Sequence, residues 1–284
     1  MATPEASPLA SVQVPTRLTN LRRVFARLET IRYLVGANLR AGNRDKVLGH
    51  LWSLLDPLLS MGVYFLIFGI GFRQAADGPL DFIVYLTIGV LVWRYHSETL
   101  AQATHCIRGN RALIHEVAFP KAILPISISL SRLYDLLWGL VALLFVLALA
   151  GAPLSVQLCW LPLLVLLQLV LTTGLAFVVA YLGTFFADTA NVLAVVLRLW
   201  LYLSPIFYYV RSEVGDGGII PSSYLHLYML NPIAGFLEVY RAALLWNVTP
   251  DPRTLGYVAG AGLVTLVLGF ALFSRGEAKF AKFI

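Results

Sequence analysis

The chain has 284 residues, 59% of them hydrophobic and 13% charged, with a net charge of +6. Soluble domains carry about 25% charged and about 45–50% apolar residues, so this composition excludes an ordinary water-soluble enzyme or binding domain. The apolar residues gather in runs of about 20 or more, the length that a bilayer core of about 30 Å asks of a helix. An all-α integral membrane protein is therefore predicted, and the basic balance bears on orientation in a membrane rather than on nucleic acid.

From the N-terminus, residues 1–17 contain Pro4, Pro8 and Pro15 and no apolar block, so they read as a disordered tail rather than a cleavable signal. Residues 18–46 are predicted to be a cytoplasmic amphipathic interface helix. Leu18, Leu21, Phe25, Leu28, Ile31 and Val35 fall on one face and Arg22, Arg23, Arg27 and Arg32 on the rest, a pattern that lies flat on a membrane surface. Residues 47–284 form a six-span transmembrane domain. The first span lies within 51–72, where Asp56-Pro57 reads as a helix start with Asp as cap. The second, 80–104, is interrupted by Arg94, His96 and Glu98, and the third, 122–150, contains Arg132 and Asp135. The fourth, 154–186, has no charge; the fifth, 190–210, holds Arg198; the last covers 255–273.

Between the fifth and last spans, residues 211–254 hold two apolar runs, Tyr224 to Leu230 and Ile233 to Trp246, split by Asn231-Pro232. Each is too short to cross, and Pro stops the first from continuing into the second. A re-entrant external helical segment before the last span is predicted, since backbone at membrane depth must be shielded by protein or water.

Lys and Arg set the orientation. Residues 1–50 hold eight of them, the connection after the second span three and the C-terminal tail three, against four in the opposite loops. Both termini are thus expected in the cytoplasm. Cys106 and Cys159 then lie on opposite sides and do not pair.

Several chemistries lack their residues. There is no G-x-x-x-x-G-K-[ST] phosphate loop and no Gly-Lys pair, so ATP hydrolysis by that route is excluded. No H-E-x-x-H, Cys-x-x-Cys or G-x-S-x-G occurs, and the five histidines are scattered. No catalytic residue, metal site or cofactor in this chain is expected.

Three stretches resemble one family when taken together. They are V-L-G-H-L-W-S-L-L-D-P-L-L-S-M-G-V-Y at 47–64, N-R-A-L-I-H-E-V-A-F-P-K-A-I-L-P at 110–125, and L-N-P-I-A-G-F-L-E-V-Y-R-A-A-L-L at 230–245, preceded by L-S-P-I-F-Y-Y at 203–209. In this order they resemble permeases of the ABC exporters for O-antigen, capsular polysaccharide and teichoic acid, over nearly the whole chain from about residue 20. Asp56 stands where the family often has Asn or Glu, and His50 where it has Tyr or Pro. The resemblance implies a homodimer forming a channel in the bacterial inner membrane, a lipid-linked glycan substrate, and two ATPase subunits that bind ATP and Mg. It also makes residues 107–121 a coupling segment seated in the ATPase, with Asn110, Arg111, Leu113, Ile114, His115, Glu116, Phe119 and Lys121 as docking residues; such a contact needs apolar anchors, Val117 among them, and a polar rim.

Ionisable side chains inside spans are costly and face a cavity or one another. Arg94 and Glu98 are four apart and Arg132 and Asp135 three apart, so each pair can meet on a helix face, either holding the bundle together or lining a channel. Arg198 has no local partner and is expected to face water or a phosphate-bearing lipid carrier. Tyr64, Phe68, Tyr95, Tyr202, Phe207 and Tyr208 are candidate channel aromatics, over which the apolar faces of sugar rings can slide; the competing reading is an interfacial aromatic belt. Asn231, Pro232, Glu238, Tyr240 and Arg241 form a candidate external gate, with Glu238 and Arg241 spaced to pair. The rival readings are an ABC exporter of drugs or small lipids, a membrane-embedded glycosyl or phosphoglycosyl transferase, and a scaffold subunit. The transferase would require carboxylates clustered at one membrane face, which this sequence lacks.

Overall fold

The computed structural model describes residues 28–43, 52–64, 66–67, 79–117, 119–149, 155–208, 228 and 230–283. The expected tail 1–17, the first part of the interface helix, Arg44, Lys46, Phe68 and residues 209–227 lie outside the described residues. Most of the described residues are helical, with no strand among them.

In chain order the helices are α1 (Leu28–Asn43), α2 (Trp52–Tyr64), α3 (Pro79–Gly109), α4 (Arg111–Glu116), α5 (Ile123–Leu149), α6 (Leu161–Phe185), α7 (Thr189–Tyr202), α8 (Pro232–Leu244) and α9 (Pro252–Phe283). A short 3-10 turn, Val156–Trp160, leads into α6, its start capped by Ser155 accepting from the Gln157 N–H. Among the described residues, three stretches are long and apolar enough to cross a membrane: Ile123–Leu149, Val156–Phe185 and Pro252–Phe280. Helix α3 is longer than most at 31 residues but carries Arg94, His96 and Glu98, whereas α7 has 14 residues. Large apolar side chains on α5, α6 and α9 (Val141, Phe145, Leu166, Val264, Val267 and Leu268) are exposed, as suits helices surrounded by lipid.

Helix α6 is the hub, packed by both α3 and α9. Its glycines allow backbones to touch. A Cβ at Gly174 would collide with the backbone of Thr265 and Leu266, and one at Gly269 would collide with the Gly174 carbonyl. Small residues permit this close crossing in membranes, where dispersion and not water exclusion holds helices together. Hydroxyls within the helices bond back to their own ladder, among them Thr99 to the Tyr95 carbonyl at 2.6 Å and Thr184 to Ala180 at 2.8 Å, so no water is needed to satisfy them.

Two elements depart from expectation. Asp56-Pro57 does not open a helix: α2 begins at Trp52 and contains Pro57. The Asp56 carboxylate is drawn to a guanidinium on α3 instead of folding back onto its own backbone, and one missing N–H near a helix start costs a single bond. In α1 the buried residues are Ile31 and Leu34, with Leu28 exposed; the helix rests on α5, where Asn38 donates to Ser127 at 3.5 Å, and this contact selects the face.

Candidate functional site

Five side chains of alternating charge join α2, α3 and α5. Arg94 binds Asp56 of α2 and, through Nε, Glu98 Oε1 at 2.7 Å. The other Glu98 oxygen accepts from Arg132 on α5 at 2.9 Å, and Arg132 also donates to Asp135 Oδ2 at 3.1 Å. The helical spacings bring Arg94 to Glu98 and Arg132 to Asp135, and Glu98 links the two pairs. These side chains are 27% to 44% exposed, neither sealed in the core nor on an open surface. They line a cleft of about 80 Å³ together with Trp52, Pro57, Tyr95 and Leu136. That volume holds several waters at roughly 10–15 Å³ each. The cleft has a polar lining of charges paired across three helices, with no activated nucleophile among the described residues.

The candidate gate residues sit on α8, 11 of whose 13 residues are buried. At about 1.5 Å per residue the helix is near 20 Å long, short of a bilayer core. Asn231 caps it, and the side chain uses its whole hydrogen-bonding capacity. Its Oδ1 accepts from the Ile233 N–H at 3.0 Å and the Trp200 indole at 2.9 Å, and its Nδ2 donates to the Leu203 carbonyl at 3.3 Å and to Ser204 Oγ at 3.0 Å. Pro232 occupies the first helical turn, where its missing N–H costs nothing. Tyr240 donates to Gln168 Oε1 at 2.9 Å, and the Gln168 amide donates to the Val92 carbonyl at 2.9 Å, tying α8 to α6 and α3. Arg241 is 2% exposed; its guanidinium lies 3.3 Å from the centre of the Tyr85 ring and donates to the Tyr85 carbonyl. Glu238 is half-buried. The helix closes on Asn247 at φ 53, with the Val248 N–H reaching back to the Ala242 carbonyl at 2.9 Å.

At the other end of the bundle lie α4 and the residues after it, the stretch in which the sequence resemblance places a coupling segment. Ile114 is turned inward, 8% exposed, into a cluster with Ile31, Leu34, Ile123, Phe273 and Phe280. It is a core residue of this chain, and Leu113 and Phe119 pack partly against the same cluster. Val117 is exposed, as are Arg111, His115 and Glu116. Asn110 donates to the Cys106 carbonyl at 2.8 Å, and Lys121 is held by Glu277 of α9. Arg108 donates to the Thr184 carbonyl at 3.0 Å, closing the end of α6.

The remaining candidates disperse. Arg198 is exposed on α7 and makes no ion pair or hydrogen bond among the described residues. Tyr95 is buried, its hydroxyl donating to the Ser129 carbonyl at 3.3 Å, which ties α3 to α5 beside the cleft. Tyr208 shares a hydrogen bond with Tyr228 at 2.7 Å, and its carbonyl accepts from Tyr85 at 2.6 Å. Phe207 is half-buried, Tyr202 is 65% exposed, and Tyr64 ends α2. Asp56, Tyr85, Gln168, Trp200 and Glu277 carry contacts that sequence reasoning did not assign. Only Asp56 gave a signal, an acidic residue inside an apolar run. Among the described residues no group of three or more His, Cys, Asp or Glu is placed to hold a metal.

A short buried helix capped by L-N-P, a polar cleft between the first helices and an exposed segment after α3 are thus arranged on one chain. Residues 29–245 match the family of ABC-2 type transporters. The chain belongs to that family. It is 29% identical to the O-antigen export system permease protein RfbA of Myxococcus xanthus, over 88% of this chain and 94% of that protein. It is 23% identical to the RfbA permease of Klebsiella pneumoniae, over 88% and 93%, and 26% identical to the polysialic acid transport protein KpsM of Escherichia coli, over 81% and 86%. The chain is therefore a membrane component of a transporter.

Proposed function

We propose that the chain is the channel-forming permease subunit of an ATP-driven exporter that moves a lipid-linked polysaccharide, an O-antigen or related glycan, across the bacterial inner membrane. The observation that carries this reading is the likeness to O-antigen export permeases along 88% of the chain. The reading has the chain cross six times, with both termini in the cytoplasm, and the bias of Lys and Arg towards residues 1–50, the α3–α5 connection and the tail supports that orientation. The permease works as a homodimer with two ATPase subunits, which bind ATP and Mg.

In this mechanism the glycan's charged head group gathers at the basic end of the interface helix, near Arg40, Arg44 and Lys46. ATP binding in the partner pushes on the exposed side of residues 107–121, with Val117 as apolar contact and Arg111, His115 and Glu116 as rim. Lys121 and Glu277 carry the push into α9. The ion network gives the conduit a wetted polar wall, and exposed Tyr202 gives a sugar ring a face to slide over. Helix α8 is the re-entrant half-helix near the exit; its burial on nearly every side supports this, because a short helix at membrane depth must be shielded by protein.

The test is reconstitution of the chain with its ATPase in vesicles supplied with lipid-linked glycan on the ATPase side. ATP-dependent appearance of glycan on the far side is expected. Transport of a drug or short-chain lipid with no glycan movement would replace this substrate class with the rival one.

A further inference from the structure

Arg198 is a cation on an otherwise apolar exposed face. Val192, Val195, Val196 and Leu199 of α7 are all exposed around it, and it has no partner among the described residues. An uncompensated guanidinium at membrane depth is expensive, so a counter-charge or water must reach it. Its depth can be read from neighbouring rings. Trp200 packs on Trp93 with centroids 6.1 Å apart and on His96 at 5.1 Å. Arg108, at the end of α3, bonds Thr184 just before α7 begins, so α3 and α7 run antiparallel. Two residues back from Trp200, about 3 Å along the axis, Arg198 stands level with residues 95–98 of α3. That is the level of the ion network, in which three carboxylates and two guanidiniums meet among the described residues. The network opens beside α2, where Asp56 is 44% exposed and Leu59 and Val63 form an exposed apolar face. Within one chain the two features do not meet: α7 packs on α3 and α6, whereas α2 packs on α3 and α5.

We propose that a second copy of this chain covers α7, and that Arg198 of each copy pairs with Asp56 of the other. This rests on the homodimer reading above and specifies its contact. A two-fold axis makes the contact twice, each α7 lying beside the opposite α2. The pair brings a third guanidinium to the network, and the apolar residues flanking Arg198 and Asp56 pack against each other around it.

The experiment uses the full complex in native membranes with the ATPase subunits present. Exposed Cys159 is replaced by Ser and buried Cys106 is kept. Two differently tagged copies carry Arg198→Cys and Asp56→Cys respectively. An ion-paired Arg and Asp have Cα atoms farther apart than the 4.4–6.8 Å of a disulfide, so a bis-maleimide spanning about 8–10 Å is the probe. A cross-linked species with both tags is expected, and none from a Leu268→Cys copy paired with Asp56→Cys. Arg198→Glu should weaken copy–copy association about tenfold, with Arg198→Lys retaining it. An Arg198→Cys copy that links only to another Arg198→Cys copy overturns the proposal. So does undiminished association of Arg198→Glu, which would assign the cation to a lipid phosphate. Native mass spectrometry separates the two levels: two copies per complex without the 56–198 link overturns this contact alone, and one copy overturns the homodimer as well.

Discussion

The Lys121 backbone N–H donates to the Glu277 carboxylate at 2.7 Å, while the Lys121 ammonium donates to the Glu277 carbonyl at 3.0 Å. The exit of the exposed α4 segment is therefore tied twice to α9, next to the aromatic packing of Phe273 on Phe280, whose centroids are 5.0 Å apart. Glu277→Ala removes one tie and leaves the Lys121 N–H unpaired, a loss of about 1–2 kcal/mol. The expected result is a melting point lower by a few degrees and more ATP consumed per glycan exported, with the ATPase still bound. Thermal unfolding and a coupled transport assay read both.

Val117 and Ile114 belong to the same short segment and predict opposite outcomes. Val117→Asp, at an exposed position, should abolish ATPase co-purification and leave the permease's melting point unchanged. Ile114→Asp buries a charge in the chain's own inner cluster and should lower expression of folded permease before docking can be measured.

Asn231→Ala removes four hydrogen bonds at the junction of α7 and α8 and strands the Trp200 indole and the Ile233 N–H. A loss of about 2–4 kcal/mol is expected, since unpaired donors away from water retain their full desolvation cost. Asn231→Asp keeps the two acceptor bonds and should lose less. Thermal unfolding ranks the three proteins, and a shift in Trp emission reports the freed indole.

Among the described residues, Glu98 is the carboxylate that touches both Arg94 and Arg132. Glu98→Gln leaves two guanidiniums facing each other across the cleft. The partial exposure of the group limits the loss to about 1–2 kcal/mol. Export should fall further than stability if the network also wets the conduit. A transport defect equal to that of a control variant of matched melting point would confine it to a structural role.

Asp251, just before the last long apolar helix, gives a pH signature. It opens α9 by accepting from both the Thr254 N–H and hydroxyl at 2.9 Å, and these bonds hold its carboxyl below the ordinary value of 3.8. A depressed folded pKa contributes stability that is present above that ordinary value and lost as pH falls through the folded one. Asp251→Ala should therefore melt lower than the parent at neutral pH, and the difference should shrink as pH is lowered through that window. A gap that stays constant across the titration would contradict this.

The long apolar helices were legible because runs of that length have no alternative in a soluble fold, and Arg94–Glu98 and Arg132–Asp135 because helical spacing alone makes them neighbours. Asp56 was not. Asp followed by Pro satisfies a local rule for starting a helix, and the competing partner, Arg94, lies 38 positions away in sequence, where no local pattern points. The inward turn of Ile114 was hidden for a related reason: α4 has six residues, too few for a repeating face to declare itself. Tyr240, Arg241 and Asn231 were legible as unusual but not as occupied, because their partners Gln168, Tyr85 and Trp200 come from separate spans.

The central claim is that this chain is a conduit driven from its inner surface by another protein's ATP. The most direct measurement places the purified permease in vesicles with lipid-linked glycan, with and without its ATPase subunits, and follows ATP hydrolysis and glycan export together. Neither activity is expected from the permease alone, and both from the assembled complex. ATP hydrolysis by the isolated chain, or glycan export without the ATPase subunits, would contradict it.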